Sequence, residues 1–277
     1  MNRFSAGAVV ALFASSTALL AAPVLHASAH LSAAPAQYYS SVIYPQGTSI
    51  AHGSMATLPD INGLKVKFYV GYLKPGEIYN EDVRTGACLS GGRSVITLGL
   101  NQTDGDGSLN LVTTINPSVL AQSSTLHVDV SSAMPGSPVV ACGNILKANI
   151  ILHLHSVKTN VVANAGGIAY FTFGIRGNEV LYRTPNATGT SVVVFGQGLE
   201  PGTTHEVHIH DAQCIPDQAK QVRYDLYYME TDANGEGVSG TFFDGHINLG
   251  NSYVQIHGAN LQAVACANLG SNALPRS

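Results

Sequence analysis

From about residue 35 onward, apolar and polar residues alternate in short runs with a period of two. That spacing puts successive side chains on opposite faces of a strand. "GLKVKFYVGYL" (63–73), "SLNLVTTI" (108–115), "TLHVDVSS" (125–132), "TSVVVFGQGL" (190–199), "HEVHIHD" (205–211), "RYDLYYME" (223–230) and "NSYVQIHG" (251–258) all read this way, with Gly, Pro, Asn or Asp turn signals between them. No helical period of useful length follows residue 30. The pattern predicts an all-β protein, a β-sandwich or Greek-key barrel.

The strands come in two sets. "YLKPGEIYNEDVRTGAC" (72–88) aligns without a gap on "GLEPGTTHEVHIHDAQC" (198–214), and "TDGDG" (103–107) on "TDANG" (231–235). Downstream, "SSTLHVDVSS" runs parallel to "GNSYVQIHGA", and "VVACGNI" to "AVACANL". Two copies of one unit are expected, over residues 35–147 and 150–270. The copies differ where chemistry would reside. Tyr79, Asp82 and Arg84 take the places of His205, His208 and His210, and Asp129 is aligned with His257. The first copy reads as structural and the second as the site.

Composition narrows the setting. Charged residues make up only 11%, Trp is absent and the net charge is −4, which gives no electrostatic reason to expect nucleic acid or an anionic membrane as partner. Residues 1–29 have a basic start, an apolar run and a small-residue Ala27-Ser28-Ala29 site, the pattern of a secretory signal peptide. No later run is long enough for a membrane span. Export, extracellular or periplasmic, places Cys88, Cys142, Cys214 and Cys266 in an oxidising compartment where disulfides are the default. Four cysteines allow three pairings. The near-equal separations of 54 and 52 residues favour one bridge per copy.

The chemistry concentrates in "HEVHIHD". His208 and His210 alternate with Val207 and Ile209, so the two imidazoles project from one face about 7 Å apart at their Cα atoms. His257 shares parity with Tyr253 and Gln255 and supplies a third ligand if its strand lies beside the first. His205 has the parity of Val207 and points behind the site. Three neutral imidazoles with an open position suit copper or zinc, and affinity favours copper.

The second copy resembles the copper/zinc superoxide dismutases, through "GLEPGTTHEVHIHDAQC", "RYDLYYMETDANGEG", "YVQIHG" and "AVACANLG" in that order, over roughly residues 190–270. The first copy extends the likeness in degenerate form. The resemblance implies two tandem Greek-key, immunoglobulin-like β-barrels. It implies copper at His208, His210 and His257, a buried structural histidine at His205, a disulfide between Cys214 and Cys266, and a carboxylate at Asp225 where the family binds zinc. Superoxide is the implied substrate.

Departures from the family are equally specific. "CIPDQAKQVRYD" is too short for the family's zinc loop and lacks histidine, so zinc is not expected and the bridging histidine is missing. "GANLQAVA" shortens the second loop, and Ala263 stands where the family has an arginine that steers the anion. The likeness is therefore nearer the zinc-free, copper-only branch. Two rival readings carry forward: a copper-binding protein without turnover, and a structural β-module of the chordin-like kind, against which the cysteine spacing argues. Whether two barrels pair within one chain or between chains is open.

Lesser candidates are "LHLHS" (152–156), expected on a strand at the junction of the copies, His246 as a fourth ligand, and a copper-chelating N-terminal His30 after cleavage. "TDGDG" and "TDANGEG" lack the spacing of calcium loops and are expected as tight turns. Asn101 and Asn186 lie in N-glycosylation sequons.

Overall fold

A computed structural model of the 277-residue chain describes residues 37–157, 165–175, 188–215, 221–245, 247, 249–258 and 261–269. The strands of the first half are β1 (Tyr39–Pro45), β2 (His52–Asp60), β3 (Gly63–Gly71), β4 (Ile78–Thr85), β5 (Ser94–Gln102), β6 (Leu109–Ile115), β7 (Leu126–Ser132) and β8 (Val139–Lys147). Those of the second half are β9 (Ile150–Ser156), β10 (Gly166–Ile175), β11 (Thr188–Gln197), β12 (Thr204–His205), β13 (Val207–Asp211), β14 (Val222–Asp225), β15 (Met229–Glu230), β16 (Gly237–Asp244), β17 (Ser252–His257) and β18 (Ala263–Leu269). Among the described residues the helical content is one 3₁₀ turn, Pro117–Val119. The fold is all-β, as the period-two pattern requires.

Two eight-stranded antiparallel sheets form, ordered β5-β4-β7-β8-β1-β2-β3-β6 and β14-β13-β17-β18-β9-β10-β11-β16. Strand for strand the orders are identical, so the repeat in sequence is a repeat in topology. Each sheet curls into a near-barrel. In the first, the outer strands β5 and β6 meet. In the second, Tyr224 of β14 packs on Phe243 of β16, ring centroids 5.2 Å apart. Each barrel encloses its own core: Ile43, Val66, Phe68, Val83, Val128 and Val130 in one, Phe171, Val192, Val194, Ile209, Val254 and Ile256 in the other.

The disulfides are Cys88–Cys142 and Cys214–Cys266, one within each barrel. The same local device holds each. The Cys88 N–H donates to Asn144 Oδ1 and the Cys214 N–H donates to Asn268 Oδ1, at 2.9 and 2.6 Å. The aspartate turns are equally alike. Asp104 Oδ1 accepts from the backbone N–H of Asp106 and Ser108, and Asp232 Oδ1 from that of Asn234 and Glu236. One oxygen of each carboxylate is held by its own turn, so the segments are tight turns rather than calcium loops.

The barrels pack against each other through the β1-β2-β3 side of the first and β11-β16 of the second. A third apolar cluster fills this contact, with Val42, Ala56 and Tyr69 facing Tyr170, Val193, Phe195 and Val238. The Tyr170 hydroxyl donates to the Thr57 carbonyl at 3.0 Å across it. Lys67, fully buried, reaches Asp232 Oδ2 at 2.7 Å, and Lys65 reaches Glu236. Fully burying each large apolar side chain contributes about 1.5–3 kcal/mol, and leaving Lys67 buried without Asp232 would cost several more. Barrel pairing therefore occurs inside one chain.

The cores are not equivalent everywhere. On β4 the inward-facing buried positions are Tyr79, Glu81 and Val83; on β13 and the residues before it the inward-facing ones are His205, Val207 and Ile209. Glu81 thus carries a carboxylate where the second barrel has a valine. Its Oε2 accepts from Asn101 Nδ2 at 2.8 Å, while Oε1 has no hydrogen-bond partner among the described residues. Burial pushes the carboxyl up to about 7, against the opposing Asn101 bond. A folded-state pKa above the unfolded one stabilises below the unfolded value, and that stability is lost as pH rises through about 7. Glu81→Gln is expected to raise stability at pH 8 by up to about 3 kcal/mol and to flatten the fall between pH 5 and 8, measured by urea unfolding. The same geometry bears on the Asn101 sequon. Its amide holds Glu81, so folding commits the group a glycan would occupy. Asn186 lies outside the described residues.

Candidate metal centre

His208 and His210 stand on β13, on the face opposite the buried Val207 and Ile209. β17 pairs with β13 antiparallel, with Val207 opposite Ile256 and His210 opposite Tyr253. Register shifts fall between Ile209 and His210 on one strand and between Ile256 and His257 on the other. The extra residues, Arg223 and Val264, belong to the flanking strands β14 and β18, so the β13–β17 pairing itself stays regular and carries the two imidazoles side by side. His210 Nε2 and His257 Nε2 lie 3.2 Å apart. Among the described residues, His208, His210 and His257 form a group whose ring nitrogens all fall within 4.8 Å of one another.

Each ring is oriented from outside the group. His257 Nδ1 donates to the Leu261 carbonyl at 2.8 Å, which leaves Nε2 as the inward nitrogen. His208 Nε2 faces Glu206 Oε2 and Asp225 Oδ1, each at 3.4 Å, while its Nδ1 is buried with no hydrogen-bond partner. His210 stacks on Tyr253, ring centroids 5.0 Å apart and planes within 12°. His205 faces the barrel interior. Its Nδ1 donates to the His257 carbonyl and its Nε2 meets Thr203 Oγ1, both at 2.8 Å, so it fixes the strand carrying His257. His210 and His257 are buried, and His208 is half-buried.

These observations fit a metal ion. A buried, unpartnered imidazole nitrogen costs free energy unless something fills its lone pair. Two imidazole nitrogens 3.2 Å apart match the spacing of ligands that each sit about 2.0–2.1 Å from one ion. Burial, opposed by the Leu261 bond and aided by His208, lowers the His257 pKa below its ordinary value and keeps the ring neutral, the form a metal takes. The three histidines can hold a metal ion. Asp225, mostly exposed, stands beside His208 as part of its surround. Glu206 does the same: it shares the outward face with His208, a placement that "HEVH" carries in the sequence.

The first barrel keeps the scaffold without the ligands. The register corrects one alignment read from the sequence: Asp129 pairs with Asp82 as Gln255 pairs with His208, so Asp129 corresponds to Gln255. The counterpart of His257 is Ser131, which follows the equivalent bulge after Val130. The offset of 126 that sets β4 on β13 carries unchanged to β7 and β17, and the pairing settles it. At the remaining positions Arg84 lies 3.4 Å from Asp82 and 3.7 Å from Asp129. A guanidinium thus neutralises two carboxylates there. His127, Asp129 and Cys142 also cluster, but Cys142 is bonded to Cys88 and has no thiolate to offer.

"LHLHS" lies on β9, the first strand of the second sheet, and is not part of the group. His246 and His30 lie outside the described residues. Among the described residues no helix is long and apolar enough to cross a membrane. Compared with known proteins, the chain matches no family model and no curated sequence.

Proposed function

We propose that this chain is an exported tandem of two superoxide dismutase-like β-domains, over residues 35–147 and 150–270, and that the second binds one copper ion through His208, His210 and His257. The observation that carries the reading is the three-imidazole group, buried at His210 and His257, with an unpartnered buried nitrogen on half-buried His208. An all-nitrogen donor set without thiolate or clustered carboxylate ligands favours copper among available divalent metals. Disulfides in both barrels fit an oxidising compartment.

The proposed activity is superoxide dismutation: two superoxide anions and two protons become dioxygen and hydrogen peroxide. Copper supplies the one-electron couple when bound. The chain holds the ion, keeps His257 neutral and confines access to the side of half-buried His208. With Ala263 in place of a steering arginine and a net charge of −4, anion capture lacks its electrostatic aid, so turnover is slow and depends little on ionic strength. Stopped-flow superoxide decay tests this. Copper-loaded protein is expected to accelerate decay and the His210→Ala variant not to. Tight copper binding without acceleration would replace the enzyme reading with copper carriage.

A further inference from the structure

A cleft of about 460 Å³ opens between the two barrels, and no residue of the histidine triad lines it. The first barrel contributes Tyr69, Tyr72 and Asp106; the second contributes Tyr227, Tyr228 and Glu230. Its size falls in the range of small-molecule sites. Tyr72 and Tyr228 are each 61% exposed and Tyr227 is 46% exposed, an unusual display of rings for one edge of a protein.

The backbone shows that this display is held in place. Tyr72 adopts φ 61°, in the left-handed region, at the position where the second repeat has Gly198 at φ 65°. A bulky residue there costs about 1–2 kcal/mol, which glycine avoids. The first barrel nevertheless presents a tyrosine, and its ring stacks on His52 at 4.7 Å. The other neighbour of His52 is Tyr227, at 4.4 Å, so one imidazole joins rings from both barrels. The Tyr227 backbone is pinned on both sides: its N–H donates to Thr241 Oγ1, and its carbonyl accepts from the Ser239 hydroxyl. Strain retained at an exposed, preorganised aromatic site points to binding.

Charge selects the ligand. Among the described residues the lining holds two carboxylates, Asp106 and Glu230, and neither Lys nor Arg. His52 donates Nδ1–H to the Ile50 carbonyl, and burial lowers its pKa, so it adds no positive charge at neutral pH. Aromatic faces carry negative quadrupole potential and attract cations, most strongly beside carboxylates. We infer that this cleft binds a small organic cation, a primary-amine or quaternary-ammonium compound, against the tyrosine faces and the carboxylates of Asp106 and Glu230.

The test is titration of the full chain with choline chloride and with spermidine, against sodium chloride at matched ionic strength and maltose as a neutral ligand. Calorimetry reads the heat. With 12 Tyr and no Trp, intrinsic emission reads the tyrosines directly. Saturable binding of at least one of the two cations is expected, weakened about fivefold or more in Tyr227→Ala and in Glu230→Gln. Tyr228→Ala, at a ring that faces solvent, should weaken it without touching the fold. Tyr72→Gly should weaken it with no loss of thermal stability, because the left-handed strain is relieved. No saturable binding of either cation overturns the inference. So does affinity unchanged in all four variants, or maltose binding more tightly than both cations.

Discussion

His257→Ala is expected to abolish copper retention through dialysis, a loss of affinity greater than about 100-fold, while the barrel stays folded. Removal of a supporting group alone costs a metal site 10–100-fold, and His257 supplies one of three nitrogens in the group. Folding should survive because the first barrel makes the same bulge with Ser131 in that place. His257→Ser is therefore the cleaner variant, a residue the scaffold already accommodates. Thr203→Ala, which reaches the site through His205 and the His257 carbonyl and also gives up a bond to the Glu200 carbonyl, should weaken copper by a smaller factor of about tenfold. Copper content by atomic absorption and unfolding by circular dichroism separate loss of the site from loss of the fold.

Replacing both Cys214 and Cys266 by serine should remove about 4 kcal/mol of stability, read by urea unfolding. The bridge closes a loop of 52 residues, and loop-closure entropy of the unfolded chain sets that magnitude. The Cys88/Cys142 double variant closes a similar loop of 54 residues and should cost about as much. The two should differ in copper binding. Cys266 lies opposite Gln255 on the strand that carries His257, and Cys214 follows β13. Losing this bridge frees the strands that aim the ligands, whereas losing the other leaves the second barrel intact. Equal copper affinity in both double variants would disconnect the disulfide from the site.

Much of this was legible in the chain because strand parity is local. The alternation in "HEVHIHD" places His208 and His210 outward and His205 inward, and the near-equal cysteine separations follow the repeat. The aspartate turns announce themselves by Asp and Gly at fixed offsets. Sequence position misleads where the backbone leaves regular pairing. The "TDGDG" and "TDANG" turns are offset by 128 but the strands on either side of them by 126, so loop lengths break the count, and Asp129 takes the place of Gln255 rather than His257. Glu81 has the parity of a core residue and the chemistry of a surface one, and only the fold shows that parity won. Lys67 alternates with the core residues Val66 and Phe68, the parity of an outward position, yet the second barrel buries it against Asp232. Tyr72 is unremarkable in "GYLKPG" until its φ is known. Contacts between barrels join residues far apart in sequence, beyond the reach of any local pattern.

Electron paramagnetic resonance of the protein, loaded with one equivalent of copper and dialysed, tests the central claim most directly. The account predicts one retained copper per chain with a type-2 signal split by nitrogen nuclei, and a changed signal in His208→Ala and in His210→Ala. Copper lost on dialysis, or a signal identical in both variants, would contradict a metal centre at these three histidines.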